Sequence, residues 1–286
     1  MDATLLIQTI GIFTFFYFLI QIFARPPIKK CCVVGTTIEG DKKGSMTHIN
    51  GVDAYISMPK NKSERAVVFL SDAFGLELIN NYIICDKFAE AGYITIMPDL
   101  FNGGAIPGSL MSIISADTSK LSLLEKANRL FKMVASFGPF TIRHMDAAKK
   151  LPIVQDTIKE LQTQHGITKI AATGYCYGGK LVALMNQHDI NFDTSAVAHP
   201  SMLKVPYDIE RIKKPILFNC AEEDFMLSTK AANESEAILK KNNVVNKFIH
   251  YPGTTHGFAV KPKPNEPKDA MDKCFQNTVD FFNETM

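Results

Sequence analysis

The segment TGYCYGGK, from Thr173 to Lys180, places Cys176 between Gly174 and Gly178. The apolar segment KIAA precedes it and LVALM follows it, so the cysteine is expected where a strand passes into a helix. This spacing is the G-x-S-x-G pattern of a nucleophile elbow, with cysteine in place of serine. The N-terminus of the following helix favours a thiolate, which is the reactive form of the side chain. A tight turn around a buried thiol is the alternative, and this segment alone leaves it open.

A thiol nucleophile needs a base, and the base needs an acid that orients it. Asp224 follows the apolar segment PILFNC, and His256 follows the segment NKFIHY. The order nucleophile, acid, histidine is that of α/β-hydrolases. Glu222 and Glu223 are alternative acids, and His199 is an alternative base that precedes Asp224. Because parallel strands end at one edge of a sheet, where open α/β folds bind their ligands, we expect the three side chains to lie together there.

The rest of the chain predicts the elements that must position these residues. Asn50-Gly51 between two extended segments predicts a hairpin, and later apolar segments such as AVVFLS and YITIMP predict buried strands. Helical segments separate the strands, with two helices over 121–137 and 140–165 and a break at Gly138-Pro139. Residues 99–120 form a long connection and a candidate lid. This alternation predicts an α/β domain with a mainly parallel sheet flanked by helices.

The composition excludes several classes of protein. The chain has 286 residues, of which 46% are hydrophobic and 21% charged, and its net charge is +2. This charge, without a Lys/Arg run, argues against a nucleic-acid partner. The six cysteines include no C-x-x-C motif and no Cys/His cluster at zinc spacing. Free thiols in a reducing compartment are therefore favoured over a disulfide framework or a metal site.

An uncharged apolar segment covers residues 3–24, ATLLIQTIGIFTFFYFLIQIFA. About 20 apolar residues cross a bilayer as a helix, so this segment is long enough. Asp2 precedes it and the basic segment RPPIKK follows it, which favours a cytoplasmic C-terminal side. We expect residues 1–30 to be a membrane anchor with its basic flank, and residues 31–286 to form a cytosolic α/β domain. Secretion after removal of a signal peptide is the alternative.

The motifs together resemble the dienelactone hydrolase (carboxymethylenebutenolidase) family, most closely its eukaryotic, fungal-type members. The segments GYCYGGK and PGTTHGF carry the resemblance, supported by LSDAFGL and PDLF. It implies an α/β-hydrolase fold and hydrolysis of a small-molecule ester or lactone, with no metal or organic cofactor. It also implies that Cys176 is the nucleophile, His256 the base and Asp224 its orienting acid. The amides of Ala73 and Tyr177 would form the oxyanion hole.

The chain departs from the family pattern at two places. Asp72 stands where the family commonly has a glutamate that engages the resting thiol. The arginines that bind a substrate carboxylate in bacterial members are missing, and only Lys261 offers a cation. These departures predict an ester, thioester or lactone that is more apolar than a dienelactone. The residues expected to bind substrate are Asp72, Phe74, Phe101, Tyr175, Phe258 and Lys261.

Two other functions stay open on the sequence. The changes at Asp72 and at the segment FNGG, which lacks the expected arginine, are also compatible with a membrane-anchored binding or scaffold module that has the same fold without turnover. A cysteine peptidase is a weaker alternative, because the elbow allows it but the resemblance argues against it. The sequence does not determine the substrate or the oligomeric state.

Overall fold

The computed structural model describes residues 38, 40–108, 122–144, 146–188 and 190–286. The expected membrane segment lies outside these residues, as does most of the candidate lid. Within the described ranges, no helix has both the length and the apolar character needed to cross a membrane.

The described part of the chain contains one sheet of eight strands, in the order β1-β2-β4-β3-β5-β6-β7-β8. The strands are β1 Ser45–Ile49, β2 Val52–Ser57, β3 Arg65–Leu70, β4 Ile94–Pro98, β5 Lys169–Tyr175, β6 Thr194–Ala198, β7 Ile216–Glu223 and β8 Asn246–Thr255. Strand β2 is antiparallel to both β1 and β4, and the other neighbouring pairs are parallel. The predicted mainly parallel sheet and the hairpin at Asn50-Gly51 are confirmed.

Helices cover both faces of this sheet. The α-helices of the described residues are α1 Ile79–Glu90, α2 Leu123–His144, α3 Leu151–Gln164, α4 Tyr177–Gln187, α5 Thr229–Lys241 and α6 Ala270–Thr285. Short 3-10 turns lie at Gly75–Glu77 and Ala147–Lys150. Helices α1 and α6 contribute to one hydrophobic core, whereas α3, α4 and α5 contribute to the other.

The central strand β3 shows why both faces must be covered. Val67 and Phe69 belong to the core under α1 and α6, and Val68 and Leu70 belong to the opposite core. Successive side chains of a strand point to opposite faces, so a continuous apolar segment buries both. The carboxyl ends of the parallel strands are thereby held rigidly at one edge, from which the candidate catalytic residues arise.

One predicted helix boundary is wrong. Helix α2 continues through Gly138 and Pro139, and the chain leaves the helix only after His144. Phe140 and His144 lie one turn apart in α2, and their rings pack on Phe101 at centroid distances of 5.2 and 5.1 Å. A proline inside a helix costs about 3 kcal/mol. We attribute the continuous helix to this packing, which a local reading of Gly-Pro does not include.

Candidate active site

Cys176 occupies the joint between β5 and α4. Its φ of 51° and ψ of −109° lie outside the regions that residues with a side chain normally adopt. The Cys176 N–H donates to the carbonyl of Ala198 at 3.1 Å, which ties the joint to the end of β6. Cys176 is also the residue that precedes the first turn of α4, where the helix dipole favours a negative charge.

The two glycines of the motif are required by close packing. A Cβ atom on Gly174 would lie 2.3 Å from the carbonyl oxygen of Gly178. A Cβ atom on Gly178 would lie 2.0 Å from the carbonyl oxygen of Leu70, the last residue of β3. The start of α4 therefore lies directly against both β5 and the end of β3, so a larger residue at Gly174 would force α4 away from β5 and one at Gly178 would force it away from β3.

The structure brings Cys176, Asp224 and His256 together. Asp224 directly follows β7, and His256 directly follows β8. The Sγ atom of Cys176 is 3.3 Å from Nε2 of His256, and Nδ1 of His256 is 2.9 Å from each carboxylate oxygen of Asp224. The side chains of Asp224 and His256 are 2% and 11% exposed. The three side chains form one continuous, largely buried row of hydrogen-bonded groups.

The alternative acids and base lie in other arrangements. Glu222 accepts a hydrogen bond from the Gly253 N–H at 2.8 Å, and Glu223 is exposed. His199 is buried, with its ring centroid 5.0 Å from that of His256. Burial holds the pKa of His199 well below its usual value. The His199 ring is therefore uncharged, and it packs against the ring of His256.

The electrostatics of the row favour a charged cysteine and histidine. Burial by itself would lower the pKa of His256, but the charges of Asp224 and Cys176 raise it to about 10. Burial would raise the pKa of Cys176, but His256 and Lys261 outweigh this effect and lower it. Each shift depends on the other group, so the charged forms of the thiol and the imidazole stabilise each other.

The other cysteines in the described part of the chain behave differently. Cys85, Cys220 and Cys274 are buried and free. Burial raises the pKa of each of these thiols. Among the four described cysteines, Cys176 alone combines partial exposure with a lowered pKa.

The expected oxyanion-hole residues lie on the two segments that meet at the elbow. The Tyr177 amide belongs to the first turn of α4, whose N–H groups have no acceptor within the helix. The Ala73 carbonyl accepts from the Ile106 N–H at 2.9 Å, and the Ser71 carbonyl accepts from the Gly178 N–H at 3.2 Å. The bond from Gly178 to Ser71 holds the segment after β3 against the start of α4, and the bond from Ile106 to Ala73 ties the same segment to the loop after β4.

Asp72 is engaged by Lys261. The Lys261 Nζ atom donates to one carboxylate oxygen of Asp72 at 2.5 Å, and their side chains are 16% and 1% exposed. The other oxygen accepts from Asn81 Nδ2 at 3.1 Å and from the Phe74 N–H at 3.2 Å. Lys261 Nζ also lies 4.2 Å from the centroid of the Phe74 ring. Asp72 therefore fixes the turn that carries Ala73 and holds the cation that was expected to meet substrate.

The remaining aromatic residues of the expected substrate set are buried. Phe101 packs against Tyr177, with centroids 5.3 Å apart. Tyr175 and Phe258 lie against His199 at 6.0 and 5.8 Å. These residues support the walls of the site, and their contact with substrate stays a prediction.

Two residues near Cys176 and His256 were not found from the sequence. The Ser201 Oγ atom is 3.0 Å from Cys176 Sγ and 3.3 Å from His256 Nε2. The Phe225 side chain is 45% exposed, with its ring centroid 5.2 Å from that of His256. The signal was available, because both residues follow closely on the carboxyl ends of parallel strands, β6 and β7. Nowhere in the described residues do three His, Cys, Asp or Glu side chains meet in a group that could hold a metal ion.

Comparison with known proteins identifies the family. Residues 52–286 match the sequence model of the dienelactone hydrolase family. The hydrolase pyvD of Aspergillus violaceofuscus is 31% identical, over 90% of this chain and 97% of that protein. The hydrolase tropI of Talaromyces stipitatus is 32% identical, over 92% of this chain and 98% of that protein.

A solved structure supports the fold independently. The crystal structure of a putative dienelactone hydrolase from Klebsiella pneumoniae superposes with a TM-score of 0.58. The match covers 84% of this chain and 98% of that chain at 17% identity, so this likeness concerns the fold. With the match of its sequence from residue 52 to residue 286, the chain belongs to the dienelactone hydrolase family and is a hydrolase with an α/β-hydrolase fold.

Proposed function

We propose that the protein hydrolyses neutral esters or lactones with Cys176 as its nucleophile, His256 as its general base and acid, and Asp224 as the residue that orients His256. One observation carries the proposal. Sγ of Cys176, the imidazole of His256 and the carboxylate of Asp224 follow one another at 3.3 and 2.9 Å. These are the contacts that a thiol needs to lose its proton to a histidine fixed in one tautomer.

The reaction proceeds through an acyl-enzyme. The Cys176 thiolate attacks the carbonyl carbon, and the amides of Ala73 and Tyr177 donate to the oxyanion. The carbon–oxygen bond to the alcohol breaks as the Nε2–H of His256 gives its proton to the leaving oxygen. His256, now neutral, takes a proton from water, whose oxygen attacks the thioester. The thiolate leaves, the acid is released and the resting ion pair is restored.

The substrate class follows from the charges around the sulfur. Lys261, the cation expected to meet a substrate carboxylate, is already paired with Asp72. A second anion would compete with a buried ion pair, which is costly to break. The exposed ring of Phe225 lies beside His256 and offers apolar contact at the entrance. A neutral substrate with an apolar acyl or alkoxy group therefore fits this site better than an anionic one.

Hydrolysis of p-nitrophenyl butyrate tests the assignment. The Cys176→Ala variant removes the sulfur, and we expect its turnover to fall to the rate of the uncatalysed reaction. Cys220→Ala is the matched control, because it removes a buried thiol and leaves the proposed nucleophile in place. Turnover by Cys176→Ala equal to that of the unaltered protein would exclude Cys176 as the nucleophile.

The same assay tests the substrate class. The monoester of p-nitrophenol with succinic acid has the same four-carbon acyl chain as the butyrate, with a carboxylate in place of the terminal methyl group. We expect kcat/KM for the butyrate to exceed that for the succinate monoester by about tenfold, which corresponds to about 1.4 kcal/mol. An equal or greater value for the succinate would contradict the proposed preference for neutral substrates.

A further inference from the structure

Ser201 lies within hydrogen-bond distance of two members of the proposed triad. Its Oγ atom is 3.0 Å from Sγ of Cys176 and 3.3 Å from Nε2 of His256. Sγ and Nε2 are themselves 3.3 Å apart, so the three atoms form a closed triangle. Ser201 is only 3% exposed. Bulk water has little access to this hydroxyl, and a hydrogen bond it makes inside the site is strengthened by the low local dielectric.

The backbone holds Ser201 against the elbow. The Ser201 N–H donates to the carbonyl of Cys176 at 2.9 Å. His199 and Met202 have φ values of 38° and 60°, in the left-handed region that side chains disfavour. A Cβ atom on Gly179 would lie 2.6 Å from Cβ of Pro200, so the turn that carries Ser201 packs directly on α4. Strained backbone of this kind persists only where the surroundings fix it.

The chemistry of the triangle depends on where the protons are. Nδ1 of His256 faces the carboxylate of Asp224 and therefore carries a proton. Nε2 faces both Sγ and the hydroxyl of Ser201. A serine hydroxyl has one proton to donate and two lone pairs that accept. It can therefore accept from the Nε2–H of an imidazolium while it donates to a thiolate.

We propose that the Ser201 hydroxyl is a fourth catalytic group, which donates a hydrogen bond to the Cys176 thiolate and stabilises the resting ion pair with His256. The inference rests on the proposed role of Cys176 as the nucleophile. A hydrogen bond to an ionised acceptor is stronger than one to a neutral group, so the hydroxyl favours the thiolate over the thiol. When the sulfur is acylated and loses its charge, the hydroxyl no longer has an ionised acceptor there.

Ser201 could also be considered as the nucleophile itself, because Oγ and Sγ are both 3.3 Å from Nε2. The elbow favours Cys176. Only Cys176 precedes the first turn of α4, where the helix dipole stabilises an attacking anion. The two assignments predict different results, because a protein with Ser201 as its nucleophile would keep turnover in Cys176→Ala.

The pH dependence of thiol alkylation tests the proposal without requiring turnover. Iodoacetamide reacts with the thiolate, so the midpoint of its rate against pH reports ionisation of Cys176, with Cys176→Ala as the blank. We expect Ser201→Ala to raise this midpoint by about one pH unit and to slow alkylation about tenfold at pH values below it. Ser195→Ala is the matched control, because Ser195 is a buried serine of β6 whose hydroxyl donates to the carbonyl of Pro215, just before β7. Its midpoint is expected to equal that of the unaltered protein.

Equal midpoints for Ser201→Ala and the unaltered protein would overturn the proposal. If Ser201→Ala does not fold, the pair Ser201→Thr and Ser201→Val decides, because these side chains have the same shape and only threonine keeps the hydroxyl. A higher midpoint for valine supports the proposal, and equal midpoints contradict it. Failure of the proposed function itself is seen separately, as ester turnover that survives in Cys176→Ala. Turnover that survives there and is lost in Ser201→Ala would assign Ser201 as the nucleophile.

Discussion

The ionisation of Cys176 and that of His256 depend on each other. Burial opposes a charge on both Cys176 and His256, yet the two groups charge each other. The result is a sulfur that is ionised below the usual thiol pKa because a histidine holds a proton above its own usual pKa. Removing either partner therefore leaves the other buried without its opposite charge.

This coupling predicts how the thiols of the protein react at neutral pH. Because the pKa of Cys176 is lowered and those of Cys85, Cys220 and Cys274 are raised, Cys176 has the largest thiolate fraction among the described cysteines. We expect its alkylation to be at least about tenfold faster, since one pH unit of pKa changes the thiolate fraction tenfold. Mass spectrometry of tryptic peptides after brief iodoacetamide treatment measures this. Similar labelling of Cys176 and Cys220 would contradict the prediction.

The buried pair of Asp72 and Lys261 predicts a change of specificity. In Asp72→Asn the ammonium of Lys261 loses its carboxylate, so a substrate carboxylate can take that place. We expect the ratio of kcat/KM for the succinate monoester to that for the butyrate to rise by about tenfold, because a hydrogen bond to a charged group is worth about 1.5–3 kcal/mol. The double variant with Lys261→Met is the control and should lose the gain. An unchanged ratio in Asp72→Asn would show that Lys261 does not face the substrate.

Some contacts of the site could be predicted from the sequence, and others could not. The elbow was visible because its glycines are required at fixed positions beside Cys176. The ion pair was not visible, since Asp72 and Lys261 are 189 residues apart and neither carries a local pattern. Ser201 follows a histidine and a proline after an apolar strand, a combination that predicts a turn and leaves the direction of the hydroxyl undetermined.

At the scale of elements, the joint between β3, β5 and α4 allows no added atom at Gly178. We expect Gly178→Ala to destabilise the protein by about 1–3 kcal/mol or more, because its Cβ would lie 2.0 Å from the Leu70 carbonyl oxygen. Gly138→Ala is the matched control, since Gly138 lies in α2 with nothing within 4 Å of its added Cβ. It should stabilise the protein by about 0.5–1 kcal/mol. Urea denaturation of both variants measures the free energies of unfolding, and equal effects would contradict the packing argument.

The elements themselves were predictable where local and tertiary preferences agree. Asn50-Gly51 forms the turn of a hairpin because its left-handed φ values of 48° and 81° suit this dipeptide. The continuous apolar segment of β3 is buried on both faces, as its composition requires. Gly138-Pro139 is the contrary case, because contacts of Phe140 and His144 with Phe101 act against the local signal.

At the scale of the whole molecule, the hydrophobic segment 3–24 predicts membrane attachment. We propose that it anchors a cytosolic hydrolase domain. The full chain is then expected in the membrane fraction after carbonate washing. Phe13→Arg combined with Phe16→Arg should shift it to the supernatant, because each arginine at the centre of a span costs about 2.5–3.5 kcal/mol.

Protease treatment of sealed microsomes tests the orientation. Digestion of the hydrolase domain without detergent supports a cytosolic location. Protection that is lost only on adding detergent would place the domain in the lumen and favour the secretory alternative.

The three proposed catalytic residues come from the ends of three separate strands, and Cys176 and His256 are 80 residues apart. Strands β5, β6, β7 and β8 must all pair before their ends meet. Formation of such long-range contacts is slow compared with formation of local helices. During refolding from urea, the far-ultraviolet circular dichroism should therefore recover before esterase turnover does. The recovery of turnover therefore reports when the last strands of the sheet have paired.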